Sequence, residues 1–167
     1  STIAPSPLPH LKQVGCLTSD DALVLKKLPK SLIVLGGGAV AVEFAQFFQR
    51  FDVKVTLIQR SEHLLRDFDT DAGETLAKVF RREGMTVYNC TRLIDAAKNG
   101  KLKCVSFEHE GKTKRVSAEE IFFGLGRIPN TASLDLAKAG VVTDYGRIIA
   151  NPKMQTTAPH IYAAGDC

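Results

Sequence analysis

Tryptophan is absent from the 167 residues, and no apolar run approaches the ~18 residues that a membrane-crossing helix requires. The N-terminus also lacks the basic, then apolar, then small-residue order of a secretory leader. Together these absences exclude a helical span and predict a cytoplasmic protein without membrane partners. Cysteine is sparse: Cys16, Cys90, Cys104 and Cys167 stand far apart and form no C-x-x-C pair. His10, His63, His109 and His160 are equally isolated, so no cluster has metal-ligand spacing and the thiols read as structural or incidental in a reducing compartment. An excess of one charge is lacking too, since 22 Lys and Arg face 18 Asp and Glu. The basic residues (Lys26–Lys27, Arg81–Arg82, Lys112 to Arg115) are scattered without interleaved aromatics, which argues against nucleic acid and for a solvated surface.

What is present suits one domain of ordinary size, with 44% hydrophobic and 24% charged residues. Residues 1–17, with Pro5, Pro7 and Pro9, read as an extended connector. Thr18-Ser-Asp-Asp21 offers caps for a helix running to about Lys27 and stopped before Pro29. Ser31-Leu-Ile-Val-Leu35 is an apolar run ending in glycines, the pattern of a strand buried on both faces. Val40, Phe44, Phe47 and Phe48 recur at helical spacing between Gly38 and Arg50, and Val53 to Ile58 is a second strand, so the unit is βαβ. A second helix is expected over Asp69 to Glu83, capped by Asp67 or Asp69, buried through Leu76, Val79 and Phe80, and closed by Gly84. Met85 to Tyr88 gives a third parallel strand. Thr91–Ala97, Lys101–His109 and Lys112–Ser117 then alternate polar and apolar around Asn99-Gly100 and Glu110-Gly111, which predicts an antiparallel meander. A buried strand follows at Glu120–Gly124. Ile148-Ile149 and Ile161–Ala164 read as short strands, with partners left open within or beyond the chain. The fold class is therefore α/β, a Rossmann-like parallel sheet with an inserted antiparallel β-meander.

Between the first strand and its helix lies Gly36-Gly37-Gly38-Ala39-Val40-Ala41, the dinucleotide-binding pattern with alanine at the third glycine position. Gly36 permits a tight turn, Gly38 lets backbone approach a pyrophosphate, and Ala41 lets the helix pack close to the strand. Backbone N–H groups and the positive end of the helix dipole then face the diphosphate. An acidic residue about 20 positions beyond the first glycine accepts the ribose hydroxyls of NAD, whereas a 2′-phosphate calls for arginine. Here the strand ends in Gln59 and Arg60, with Arg66 beyond. Either arginine alone reads as a surface charge; the pair, with no acid present, favours NADP(H) over NAD(H). Glu43 follows one turn into the helix and has two readings, an exposed helix residue or a carboxylate near the nicotinamide paired with a cation outside this chain.

Gly36-Gly-Gly-Ala-Val-Ala-Val-Glu43, Ile58-Gln-Arg60 with Arg66, Gly124-Leu-Gly-Arg-Ile-Pro-Asn130 and Ile161-Tyr-Ala-Ala-Gly-Asp166 together resemble the class I pyridine nucleotide-disulfide oxidoreductase family of glutathione reductase, dihydrolipoamide dehydrogenase and mercuric reductase. The tail from Met154 to Cys167 is most similar to the mercuric reductase and dihydrolipoamide dehydrogenase branch. The resemblance implies a nucleotide domain inserted between two segments of an FAD domain. Residues 1–28 would be a connector and short helix at the FAD-domain junction, 29–147 the NAD(P)(H)-binding domain, and 148–167 a return segment toward the FAD domain. It implies that Gly36, Gly37, Gly38, Ala39 and Val40 hold the diphosphate, that Arg60 and Arg66 grip the 2′-phosphate, and that Gln59 stands where NAD-using members carry Glu. Leu93 matches an adenosine-side contact, Gly126 the glycine beside the nucleotide, Glu43 the carboxylate paired with a lysine of the FAD segment, and Asp166 the acid that binds the flavin ribityl chain. The family's flavin-binding glycine motif, its Cys-x4-Cys pair, and its dimerisation domain with the catalytic His have no match, so no catalytic residue is expected here. Ala39 replaces the tyrosine that covers the flavin in glutathione reductase, which argues against that substrate class. The implied parent is a homodimeric, FAD-containing oxidoreductase; this chain by itself is expected to be inactive and not to retain FAD. Two rivals remain, an NAD-using dihydrolipoamide dehydrogenase-type domain and a non-enzymatic dinucleotide sensor.

Overall fold

Ser31–Leu35, buried from Leu32 onward, is an interior strand of a four-stranded parallel sheet, as an unbroken apolar run requires. The computed structural model describes residues 1–167 and divides into two units, Ser1–Pro5 with Gly126–Cys167, and Ser6–Leu125. In chain order the first unit opens with β1 (Thr2–Ile3), and the second holds α1 (Leu11–Val14), α2 (Ser19–Leu23), β2 (Ser31–Leu35), α3 (Ala39–Arg50), β3 (Lys54–Ile58), α4 (Thr70–Arg82) and β4 (Thr86–Tyr88). There follow β5 (Arg92–Asn99), β6 (Leu102–His109), β7 (Lys112–Ala118) and β8 (Glu120–Phe123); β9 (Arg127–Ile128), β10 (Thr143–Asp144) and β11 (Arg147–Ile148) belong to the first unit.

In the larger unit the parallel order is β4-β3-β2-β8. The chain winds outward from β2 through α3 and α4, then crosses the meander β5-β6-β7 and returns on the other side of β2. Winding thus reverses between β2 and β8, and the C-terminal ends of these two strands flank the crevice where open α/β sheets hold ligands. One core cluster joins Leu32, Val34, Val55, Leu57 and Phe122 of the sheet to Phe48 of α3 and Phe80 of α4. Phe44 stacks on Phe122 at 4.7 Å, which seats α3 on the sheet. The meander turns where its sequence foretold, with Gly100 at φ +61, and with Glu110 and Gly111 at φ +53 and +70.

Several elements differ from the sequence expectation. The Pro-rich start is not wholly extended: α1 buries Leu11 and Val14 beside Leu8, and Pro9 O accepts from Ala96 N at 3.3 Å. Spacing of those three apolar residues is helical, but the prolines hide it. A reciprocal Thr18–Asp21 capping box does start α2, yet the helix ends at Leu23 because none of its residues is buried to extend it. Along α4 the buried face is Gly73, Ala77 and Phe80, with Leu76 and Val79 half-buried. Asp69 occupies the N-cap position without a side-chain hydrogen bond.

In the smaller unit β1 pairs with β9, and β10 with β11 through a turn at Tyr145-Gly146 (φ +46 and +81). Ile148 therefore finds its partner, Thr143, inside the chain. Ile161–Ala164 is not a strand; Tyr162 makes an isolated bridge to Gln155. No helix of the chain is long and apolar enough to cross a membrane.

Candidate nucleotide-binding site

Where β2 ends, the backbone enters a turn that only glycine can make. Gly36 lies at φ +114, and a Cβ there would fall within 3.0 Å of the Gly124 carbonyl, backbone that cannot give way. Its N–H donates to Ile58 O at 2.9 Å, while Gly124 N donates to Leu35 O at 2.8 Å, so the turn is clamped between the ends of β3 and β8. Gly37 faces the Gln59 side chain, which a Cβ would strike. Gly38 differs from both. It is the N-cap of α3 with ordinary backbone (φ −78), and a Cβ there would meet nothing within 4 Å. Gly38, Ala39 and Val40 are exposed, and no side chain caps the helix. The first-turn N–H groups, unpaired within any helix, thus open onto free space with no acidic residue in that turn to oppose an anion. Close packing behind this turn comes from Ala41, 1% exposed, against Gly124.

From the end of β3 the chain folds back to the same turn. Gln59, 5% exposed, donates through Nε2 to Ser61 O at 2.8 Å and His63 O at 2.6 Å. Leu64 is fully buried, its carbonyl pressed against Gly73 of α4, and Leu65 N donates to Gly37 O at 2.7 Å. Arg60 and Arg66 project from this tethered segment as exposed side chains. Arg66 Nε lies 3.3 Å from Asp67 Oδ1, an ion pair open to solvent on both sides. Thr91 joins the assembly by donating from N (3.1 Å) and Oγ1 (2.9 Å) to Gln59 O, and half-buried Leu93 follows two residues later at the start of β5.

The remaining candidates are Glu43, Gly126 and Asp166. Glu43 is exposed on α3, flanked along the helix by exposed Val40 and Phe47. Gly126 (φ +121) and Asp166 belong to the smaller unit, where Gly126 O accepts from Ala4 N at 3.1 Å and Asp166 Oδ2 from Ser1 Oγ at 3.0 Å. Sequence reasoning missed Gly73, Leu65 and Thr91. Of these only Gly73 left a signal, a glycine inside a strong helical pattern.

A parallel sheet with a glycine turn at its switch point, followed by a helix with an open N-terminus, defines a Rossmann-like α/β domain. The chain belongs to the pyridine nucleotide-disulphide oxidoreductase family, which matches residues 3–167. It is 37% identical to a mercuric reductase of Bacillus cereus across 99% of the chain and 26% of that protein. It is 32% identical to a dihydrolipoyl dehydrogenase of Bacillus subtilis, across 97% of the chain and 35% of that enzyme. Among solved structures, the Cu(II) complex of the HOCl-induced flavoprotein disulfide reductase RclA from Escherichia coli superposes with a TM-score of 0.86 at 30% identity, covering 99% of this chain and 37% of that one. The chain thus spans from about a quarter to little more than a third of the length of these relatives, which are oxidoreductases.

Proposed function

We propose that this chain is the NADP(H)-binding part of a larger FAD-dependent disulfide oxidoreductase, cytoplasmic and homodimeric, in which it orients the nucleotide toward the flavin. The observation that carries the reading is Gly38: ordinary backbone, empty space where its side chain would be, and a helix N-terminus behind it without cap or carboxylate. That arrangement fits a diphosphate. Arg60 and Arg66, held on a segment bonded to the same turn, suit a 2′-phosphate, because guanidinium groups bind it by charge-assisted, bidentate hydrogen bonds. When bound, the nicotinamide supplies a hydride, with flavin as acceptor. The chain's own share is to bind, to orient and to select.

Glu43, exposed and one turn beyond the diphosphate seat, suits pairing with a lysine from outside this chain. For flavin the chain offers Asp166, exposed and bonded by Ser1 Oγ; alone it is expected not to retain FAD, and the chain by itself to turn nothing over. Calorimetric titration tests the cofactor assignment. NADPH should bind at least about tenfold more tightly than NADH, a difference of about 1.4 kcal/mol, and Arg60→Ala or Arg66→Ala should erode that margin. Equal affinities, or an NADH preference that ignores both substitutions, would reject it.

A further inference from the structure

Resting on the reading of the site as an NADP(H) site, we propose that Gln59 is a positioning residue: it sets selectivity for the 2′-phosphate by holding the Arg60–Arg66 segment against the phosphate turn, without touching the nucleotide. Gln59 lies at the end of β3 and is 5% exposed, so its carboxamide is spent on the protein. Two backbone carbonyls, of Ser61 and His63, face the same end of that group at 2.8 and 2.6 Å. Only the NH2 end satisfies both, which fixes the orientation of the amide. The other face lies against Gly37, so close that a Cβ there would collide with it. Leu65 N closes the segment onto Gly37 O at 2.7 Å, and Thr91 holds Gln59 O from behind. The backbone between the two arginines is thereby tied at Ser61, His63 and Leu65. Ordering paid for by the fold is not charged to the ligand, so tethered guanidinium groups bind phosphate more tightly than mobile ones.

A glutamate at position 59 has the same length but no donor. Its carboxylate would face two carbonyl oxygens, and repulsion would drive it out of the pocket toward the nucleotide side, where an acid accepts ribose hydroxyls. Replacing one amide by one carboxylate therefore changes both the charge of the site and the shape of the arginine-bearing segment.

Gln59→Met separates these effects, since it keeps the length, adds no charge and removes the donors. Three measurements on the chain apply: titration with NADPH, titration with NADH, and hydrogen exchange of the Leu65 amide. Gln59→Met should weaken NADPH about tenfold, leave NADH within about twofold, and speed Leu65 exchange about tenfold. In an Arg66→Ala background the same substitution should move NADPH affinity distinctly less, the non-additivity expected when one residue acts through another. Should Gln59→Met not fold, Gln59→Glu serves, with preference reversed to NADH and Leu65 exchange accelerated. Equal losses for both nucleotides, unchanged Leu65 exchange, or a full effect surviving Arg66→Ala would overturn the proposal. Wild-type chain that binds both nucleotides equally refutes the cofactor assignment, and this inference with it, before any variant is made. A wild-type NADPH preference that Gln59→Met leaves unmoved refutes the inference alone.

Discussion

At Gly36 the backbone stands at φ +114 with the Gly124 carbonyl in the place of a side chain, whereas at Gly38 the backbone is ordinary and the space is empty. The two positions should answer the same substitution in opposite ways. Gly36→Ala strains φ and forces β2 and β8 apart, and a loss of about 1–3 kcal/mol in denaturant unfolding is expected. Gly38→Ala should leave stability within about 1 kcal/mol, as an N-cap exchange does, while its methyl group intrudes on the diphosphate and weakens NADP(H) in titration. Asp67 offers a test of the arginine assignment. Its carboxylate lies 3.3 Å from Arg66 Nε and competes with any phosphate there, so Asp67→Asn should tighten NADPH by up to about fivefold and leave NADH unaffected. The glycine turn was legible because it stands between a buried run and a helical period. The place of Gln59 was not, because its partners are backbone carbonyls two and four residues ahead, which residue types do not reveal.

Elements were legible where burial on one face repeats with a regular period. The strands β2 and β3 and the helix α3 lie within a residue or so of their expected positions, and the meander strands start and stop at their turns. The α4 face was legible only in part, in buried Phe80 and core-packed Leu76, because its closest contact is made by small residues. Gly73 lies against the Leu64 carbonyl, and hydrophobicity alone favours Leu76 and Val79. Alanine is the better helix former by about 1 kcal/mol, so Gly73→Ala ought to stabilise an isolated helix. In this chain a Cβ would fall within 3.0 Å of backbone, and we expect a net loss of about 1–3 kcal/mol by chemical denaturation. Because Leu64 belongs to the segment that carries the arginines, the same variant should also lower NADPH affinity. A variant more stable than wild type would show that α4 can shift freely on that segment.

For the whole molecule, sheet order depends on contacts that no local pattern carries: β8 joins β2 only after the meander has been crossed, and β1 meets the far later β9 in the other unit. Stability against pH is likewise a sum over pairs spread through the fold. Glu83, at the end of α4, is held below the usual carboxylate range by its hydrogen bond from Arg50 of α3; Asp21 by Thr18; and Asp95 by His10, 2.7 Å away. Carboxyls lowered on folding contribute above their unfolded values and lose that contribution as pH falls through the folded ones, so Tm should decline as pH drops below about 4. Burial pushes the Cys16 thiol the other way, and its contribution should fade as pH rises past the ordinary thiol range. These effects leave neutral pH as the place to examine binding. There, amide chemical shifts of 15N-labelled chain titrated with NADP+ test the seat of the dinucleotide most directly. The largest shifts should fall on Gly36 to Val40 at the start of α3, with further ones at Arg60 to Arg66; shifts absent from α3's first turn, or centred elsewhere, would contradict a diphosphate seat at that helix.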